Sequence, residues 1–161
     1  MLVLLGIEQL IIDVIRNEWL VAFALGFLPI SEVRGAVIYA ASLGKPELIV
    51  LGVLGNLAAV PAILALWNLF NIPWWGRKII GVKLDERIRG FTKQHEKWGF
   101  LALAAFVAIP LPVTGVYTGT LIGRLIGMQR RWIFAASVIG VLVSAAITAA
   151  LAFGFFGLRL V

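Results

Sequence analysis

Charge disappears from two long stretches of the chain. Residues 48–70 carry none over 23 positions, and residues 132–158 carry none over 27. About twenty apolar residues of helix cross a bilayer core, so each stretch predicts a transmembrane helix. Asn56 and Pro61 sit inside the first, and Trp67, Trp74 and Trp75 close it as interfacial aromatics do. Ahead of each stretch lies an apolar segment that is broken. In residues 19–44 the break is Pro29, followed by Ser31, Glu32 and Arg34 and then small and apolar residues to Gly44. Lys45, Pro46 and Glu47 mark a turn, with Pro46 suited to the first turn of the next helix. In residues 98–123 the break is Pro110-Leu111-Pro112, and Arg124, Arg130 and Arg131 close the region.

The remaining segments are more polar. Residues 1–18 are apolar but interrupted by Glu8, Asp13, Arg16 and Glu18, which reads as a short interfacial helix. Residues 76–97 hold seven cations against three anions. The positive-inside rule places that stretch in the cytoplasm. Leu84, Ile88 and Phe91 recur there at helical spacing, which predicts an amphipathic helix on the membrane surface.

Composition agrees. Hydrophobic residues make up 61% of the 161-residue chain and charged residues 14%, against about a quarter charged in soluble domains. A soluble domain of about 150 residues leaves roughly a third of its surface wet, so the bilayer is the natural solvent for this much apolar surface. The net charge of +6 fits topology and contact with anionic lipids better than nucleic-acid binding. The absence of cysteine excludes disulfides, thiolate metal sites and cysteine nucleophiles. Residues 1–7 carry no positive n-region and no small-residue cleavage site follows, so the N-terminus is expected to stay.

Sliding the chain against itself by 83 residues aligns the halves without a gap. Pro29-Ile30-Ser31 falls on Pro112-Val113-Thr114, Val33 on Val116 and Gly44 on Gly127. Small residues follow each break at every fourth position: Ala36, Ala40 and Gly44 after Glu32, and Gly119, Gly123 and Gly127 after Gly115. That spacing lines one helix face and admits a close neighbour, which puts Glu32 on a packing face. Each broken segment either crosses the bilayer or folds back as a hairpin, and its limbs of about 10–13 residues, about 15–20 Å of helix, reach only to mid-membrane, which fits the hairpin. Each half then crosses the membrane once, and the halves are inverted. The expected fold is all-α and integral to the membrane, a single domain over 1–161. It consists of two inverted repeats, each a proline-broken re-entrant hairpin and one transmembrane helix, with amphipathic interfacial helices. Half one is about 19–75, the cytoplasmic linker 76–97 and half two about 98–158. Paired interrupted segments at matching positions point to a transporter's binding site.

Chemistry concentrates at the breaks. A charge at a helix centre costs about 2.5–3.5 kcal/mol on insertion scales, so Glu32 and Arg34 need a reason to be there. One reading is an ion pair that holds the fold, or two side chains that snorkel; the other is a substrate or proton site. On a regular helix residues two apart do not meet, but after Pro29 they can. Ser31 and Thr114 are placed to cap the helices that follow, whose positive ends suit an anion. Pro110, Pro112 and Gly115 shape the second break. Tyr117, aligned with Arg34, offers a hydroxyl or packs. Asn56 either bridges helices or satisfies the carbonyl freed by Pro61. Arg124 anchors the interface or reaches a lipid headgroup. His95, the only histidine, is no metal site on its own. No nucleophile–base pair and no phosphate-binding glycine loop stands out, so neither enzymatic activity nor a cofactor is expected.

The stretches Glu32-Val33-Arg34-Gly35-Ala36, Gly55-Asn56 with Pro61, and Ala108-Ile109-Pro110-Leu111-Pro112 with Thr114-Gly115 and Thr118-Gly119 resemble those of the small multidrug export family over residues 20–155. That family in turn is similar to the DedA or VTT-domain superfamily. This resemblance implies opposed re-entrant hairpins, drug efflux or proton-dependent handling of polyprenyl-phosphate lipids, and an acidic residue in the first hairpin, which Glu32 matches. The superfamily's arginines in the second hairpin have no counterpart here before Arg124, whereas Arg34 lies in the first. The leading expectation is a proton-coupled transporter of an anionic amphiphile such as a polyprenyl-phosphate carrier lipid, in the cell membrane. Glu32 exchanges the proton and Arg34 pairs with the anion. Small-molecule or multidrug export, and passive lipid scrambling or a scaffold role, are the alternatives. Membrane lipids, the substrate and protons are the expected partners. A small-residue ridge on the last span (Ala136, Gly140, Ser144, Thr148, Ala152) suggests a homodimer.

Overall fold

The computed structural model describes residues 17–69, 96–110 and 114–157. The expected N-terminal helix, most of the basic linker with its amphipathic helix, Leu111, Pro112, Val113 and His95 lie outside the described residues. Among the described residues all regular structure is helical: α1 (Glu18–Phe27), α2 (Glu32–Ser42), α3 (Leu48–Leu69), α4 (Glu96–Ala108), α5 (Val116–Leu125) and α6 (Arg130–Gly157). Two of these, α3 and α6, are long and apolar enough to cross a membrane, over Leu48–Trp67 and Arg130–Phe155. Their outward positions are apolar too: Val50, Leu54 and Leu66 on α3, and Leu142, Val143, Ile147, Leu151 and Phe155 on α6 are all exposed. Such a surface suits lipid rather than water.

The helices end where the sequence stops supporting them. Asn17 caps α1, its Oδ1 accepting from the Trp19 N–H at 3.0 Å. Each short second helix ends on a left-handed glycine, Gly44 at φ +65° and Gly127 at φ +81°, 83 residues apart. The N–H groups that follow turn back in the same pattern. Lys45 donates to Ala40 O and Met128 to Gly123 O, both at 2.9 Å. Gly44 donates to Ala41 O and Gly127 to Arg124 O, both at 3.1 Å. This is the double bond pattern that satisfies the last carbonyls of a helix. The order helix, break, helix, left-handed glycine, long helix therefore occurs twice along the chain.

The chain divides into two compact units, Met1–Ala58 with Val141–Val161, and Ala59–Gly140. In the first, α1 and α2 form an antiparallel pair. Val21 and Leu25 pack with Ala36, with Tyr39 against them, and Ala22 packs with Ala40 and Leu48. The first turns of α3 lie against this pair backbone to backbone. A Cβ on Gly26 would overlap the Gly52 carbonyl, one on Gly55 would overlap the Phe23 carbonyl, and one on Gly52 would overlap Ala36 Cβ. The Lys45 ammonium pairs with Glu18, tying the α2–α3 turn to the start of α1.

In the second unit Gly119 and Gly123 of α5 receive Val107 and Leu103 of α4, again an antiparallel arrangement. Gly123 also meets Ile133 of α6, and Gly140 meets Val107. Phe100 and Trp132 stack edge to face at 5.7 Å. The ridge expected after each break is buried at Glu32, Ala36 and Ala40 and at Gly115, Gly119 and Gly123. Its fourth members, Gly44 and Gly127, are exposed turn residues instead, because the left-handed stop falls there. Ala136, Gly140, Ser144, Thr148 and Ala152 of α6 are buried.

Candidate functional site

The first break is a problem of backbone accounting. Where α1 stops, its last carbonyls lose their helical partners, and inside a membrane lipid cannot replace them. The sequence supplies replacements. Leu28 N–H donates to Ala24 O at 2.9 Å, and Glu32 N–H to Leu28 O at 2.9 Å. The Ser31 hydroxyl donates to Leu25 O at 2.6 Å. Asn56 Nδ2, from α3, donates to Gly26 O at 2.9 Å. Ser31 stands at the cap position of α2 but makes no side-chain cap bond, so the expected capping role is corrected: its hydroxyl serves the carbonyl behind it. Gly35, one turn on, has no Cβ because Ser31 Cβ occupies that place. Of the two roles open to Asn56, the bridge between helices is the observed one, and at 1% exposure it has no water to fall back on.

The backbone is then forced at one residue. Glu32 has φ +51°, the left-handed region, and is the one non-glycine residue among those described to adopt it. An L-residue there costs about 1–2 kcal/mol. Its matching position in the other half, Gly115, is extended at φ −148°, so the strain falls on the half that lacks the glycine. The twist lets residues two apart meet: Arg34 Nη2 donates to Glu32 Oε2 at 2.7 Å. The Glu32 side chain is 7% exposed and that of Arg34 19%. The two charges are therefore packed rather than snorkelling into water. Pro29 and Ile30, at the tip of the break, are exposed.

The second break repeats the hydroxyl device. Thr114 Oγ1 donates to Ile109 O at 2.7 Å, behind it like Ser31. The cap position of α5 is Gly115, not Thr114. Pro110 is half-buried, as is Tyr117, the second residue of α5. Arg124 lies in the last turn of α5 with its guanidinium over the Trp67 ring, 5.7 Å from the centroid. So Pro29, Ser31, Glu32, Arg34 and Asn56 gather in the first unit, and Pro110, Thr114, Gly115, Tyr117 and Arg124 belong to the second.

Sequence reasoning overlooked the contact seam of Gly26, Gly52 and Gly55. Its signal was present in Ala22 and Gly26 four apart, the small-residue spacing of helix contacts. The partnership of Trp67 with Arg124, 57 positions apart, left no local signal.

A family model described as "Putative small multi-drug export protein" matches residues 32–147. No curated protein and no solved structure matches the chain. The family match begins at Glu32, just after the first break, and covers the second break, all of α3 and most of α6.

Proposed function

The chain belongs to the small multi-drug export family, and from that membership we propose that it is a membrane transporter in which Glu32 and Arg34 form the coupling pair. The observation that carries this reading is a buried carboxylate in left-handed backbone, held against a guanidinium two residues on. Backbone strain of this kind persists where the surroundings over-determine it, and it clusters at working sites.

The pair has a simple switching logic. With Glu32 charged, the arginine is occupied. A proton on Glu32 removes the charge that holds it, and the planar fork of Arg34 turns to an acidic oxygen of the substrate. Proton and anion therefore load together, the proton offsetting one negative charge of the anion. An anionic amphiphile such as a polyprenyl-phosphate carrier lipid satisfies this logic, and its chain is accommodated by lipid.

The topology that goes with it is a pair of opposed re-entrant hairpins in inverted repeat. Helices α1, α2, α4 and α5 have 10, 11, 13 and 10 residues, or about 15–20 Å each, too short for a core of about 30 Å. The basic stretch 76–97 then lies on the cytoplasmic side of the cell membrane, with Arg124, Arg130 and Arg131 on the same side.

The family description favours a second reading, export of small cationic molecules. A cation has to displace Arg34 from Glu32 and competes with the proton, so it exchanges against protons. The two readings differ in sign. In proteoliposomes with an internal pH dye, short-chain polyprenyl phosphate is expected to carry protons with it. Proton movement opposite to a cationic dye such as ethidium would favour the second reading. Lipid movement that ignores any gradient would replace both with passive scrambling.

A further inference from the structure

We propose that α3 and α6 each carry a hinge inside the helix, one at Pro61 and one at Ser144 with Thr148, and that both bend during transport. The border between the two compact units does not follow the helices. It cuts α3 after Ala58 and α6 after Gly140. Each long helix therefore starts in one unit and ends in the other. The offset of 83 residues carries Ala58 to Val141, so the two cuts match to within one residue. The first part of α3 is fastened in the first unit, where Gly52 and Gly55 lie against Ala36 and the Phe23 carbonyl and Asn56 donates to Gly26 O. Its last part is fastened in the second, where Trp67 lies under the Arg124 guanidinium. The first part of α6 is fastened there too, with Ile133 against Gly123 and Gly140 against Val107, whereas residues 141–157 belong to the first unit. Two stiff rods, each held by both units, would fix those units in place. Movement needs a bend in both, and one stiff rod is enough to prevent it.

The backbone is weakened at matching places just past these cuts. Pro61 has no N–H for the Leu57 carbonyl, and its ring crowds that oxygen. Helices bend at such residues, and also where a side chain enters the ladder of backbone bonds. The same offset carries Pro61 to Ser144. There the Thr148 hydroxyl donates to Ser144 O at 2.7 Å, a back-bond that competes with the helix's own N–H and bends it. Both helices nevertheless run on, α3 over Leu48–Leu69 and α6 over Arg130–Gly157, so each device softens its helix without ending it. Pro61 is exposed, so packing does not account for a proline there. That the bending serves transport rests on the reading above; the hinges themselves do not.

The test is the distance between spin labels in lipid nanodiscs, measured by double electron–electron resonance. The chain has no cysteine of its own. Glu47→Cys with Gln129→Cys, and Leu54→Cys with Leu121→Cys, place one exposed label in each unit. The otherwise wild-type protein is expected to give a broad or two-peaked distribution for at least one pair. Pro61→Ala restores the missing N–H, and Thr148→Val keeps the shape while removing the back-bond. Either change alone is expected to narrow the distribution to one peak, with a melting temperature no lower than before. Should Pro61→Ala fail to fold, Thr148→Val decides. Turnover in proteoliposomes is expected to fall about tenfold in the narrowed variants, or about 1.4 kcal/mol on a conformational step. No substrate or proton gradient enters the distance measurement, so its outcome is independent of the coupling pair. A single narrow distribution for both pairs in the wild type, or a spread unchanged by both substitutions, overturns the hinges. Wild-type turnover in a narrowed variant overturns their part in transport.

Discussion

Arg34 Nη2 lies 2.7 Å from Glu32 Oε2, although the residues are only two apart and a regular helix would turn them to opposite sides. The left-handed φ of Glu32 makes that contact, and the hydrogen bonds of the surrounding break hold the φ. Local strain, a closed set of carbonyl partners and a buried ion pair are thus one structure, and each part can be tested by itself.

The carbonyl partners come first. Ser31→Ala leaves Leu25 O without its donor, and Asn56→Leu leaves Gly26 O without its own. Each is expected to destabilise by about 1–3 kcal/mol, the penalty for an unmatched buried group. Unfolding in detergent reads both. Ser31→Thr, which keeps the hydroxyl, is expected to lose less than Ser31→Ala. Equal losses would assign the effect to packing.

The seam where α3 meets α1 and α2 admits no side chain at Gly26, Gly52 or Gly55. Gly26→Ala and Gly55→Ala are expected to cost about 1–3 kcal/mol or more, because the obstacle is backbone and cannot swing aside. Gly154→Ala on α6 is the control. Nothing lies within 4 Å of its Cβ position, so alanine there is expected to add about 0.5–1 kcal/mol through helix propensity. Thermal unfolding of the variants in detergent decides, and a tolerated Gly26→Ala contradicts the close approach.

Much of this arrangement was legible beforehand. Uninterrupted apolar length marked α3 and α6, because the bilayer imposes a minimum span, and the prolines marked both breaks. The offset of 83 residues correctly paired Gly44 with Gly127. What the pattern did not carry was direction. Ser31 and Thr114 sit where a cap belongs, yet their hydroxyls turn backwards, because the end of the preceding helix has carbonyls to satisfy. Nor did sequence reveal that Glu32 would be left-handed while Gly115, the residue better suited to it, would be extended. That choice depends on Arg34, Gly35 and the helices packed around them, and such long-range terms leave no local trace.

The two turn glycines give a prediction of equal effects. Gly44 and Gly127 occupy the same position in the same hydrogen-bonded stop. Nothing stands near a Cβ at Gly44, so Gly44→Ala measures conformation alone. It is expected to destabilise by about 1–2 kcal/mol, and Gly127→Ala by a similar amount. A neutral Gly44→Ala in chemical unfolding would mean that the stop is not held left-handed.

If Glu32 and Arg34 work as a coupling pair, transport by single variants in proteoliposomes registers the loss of either member. Glu32→Gln keeps an acceptor for Arg34 but cannot change charge, so it is expected to retain the fold and lose proton-driven transport of a short-chain polyprenyl phosphate by at least about tenfold. A loss of that size corresponds to about 1.4 kcal/mol or more. Arg34→Ala is expected to lose substrate binding as well. If both variants fold and transport at the wild-type rate, with the wild-type dependence on the pH gradient, the pair is only a fastening of the first break and the account is wrong.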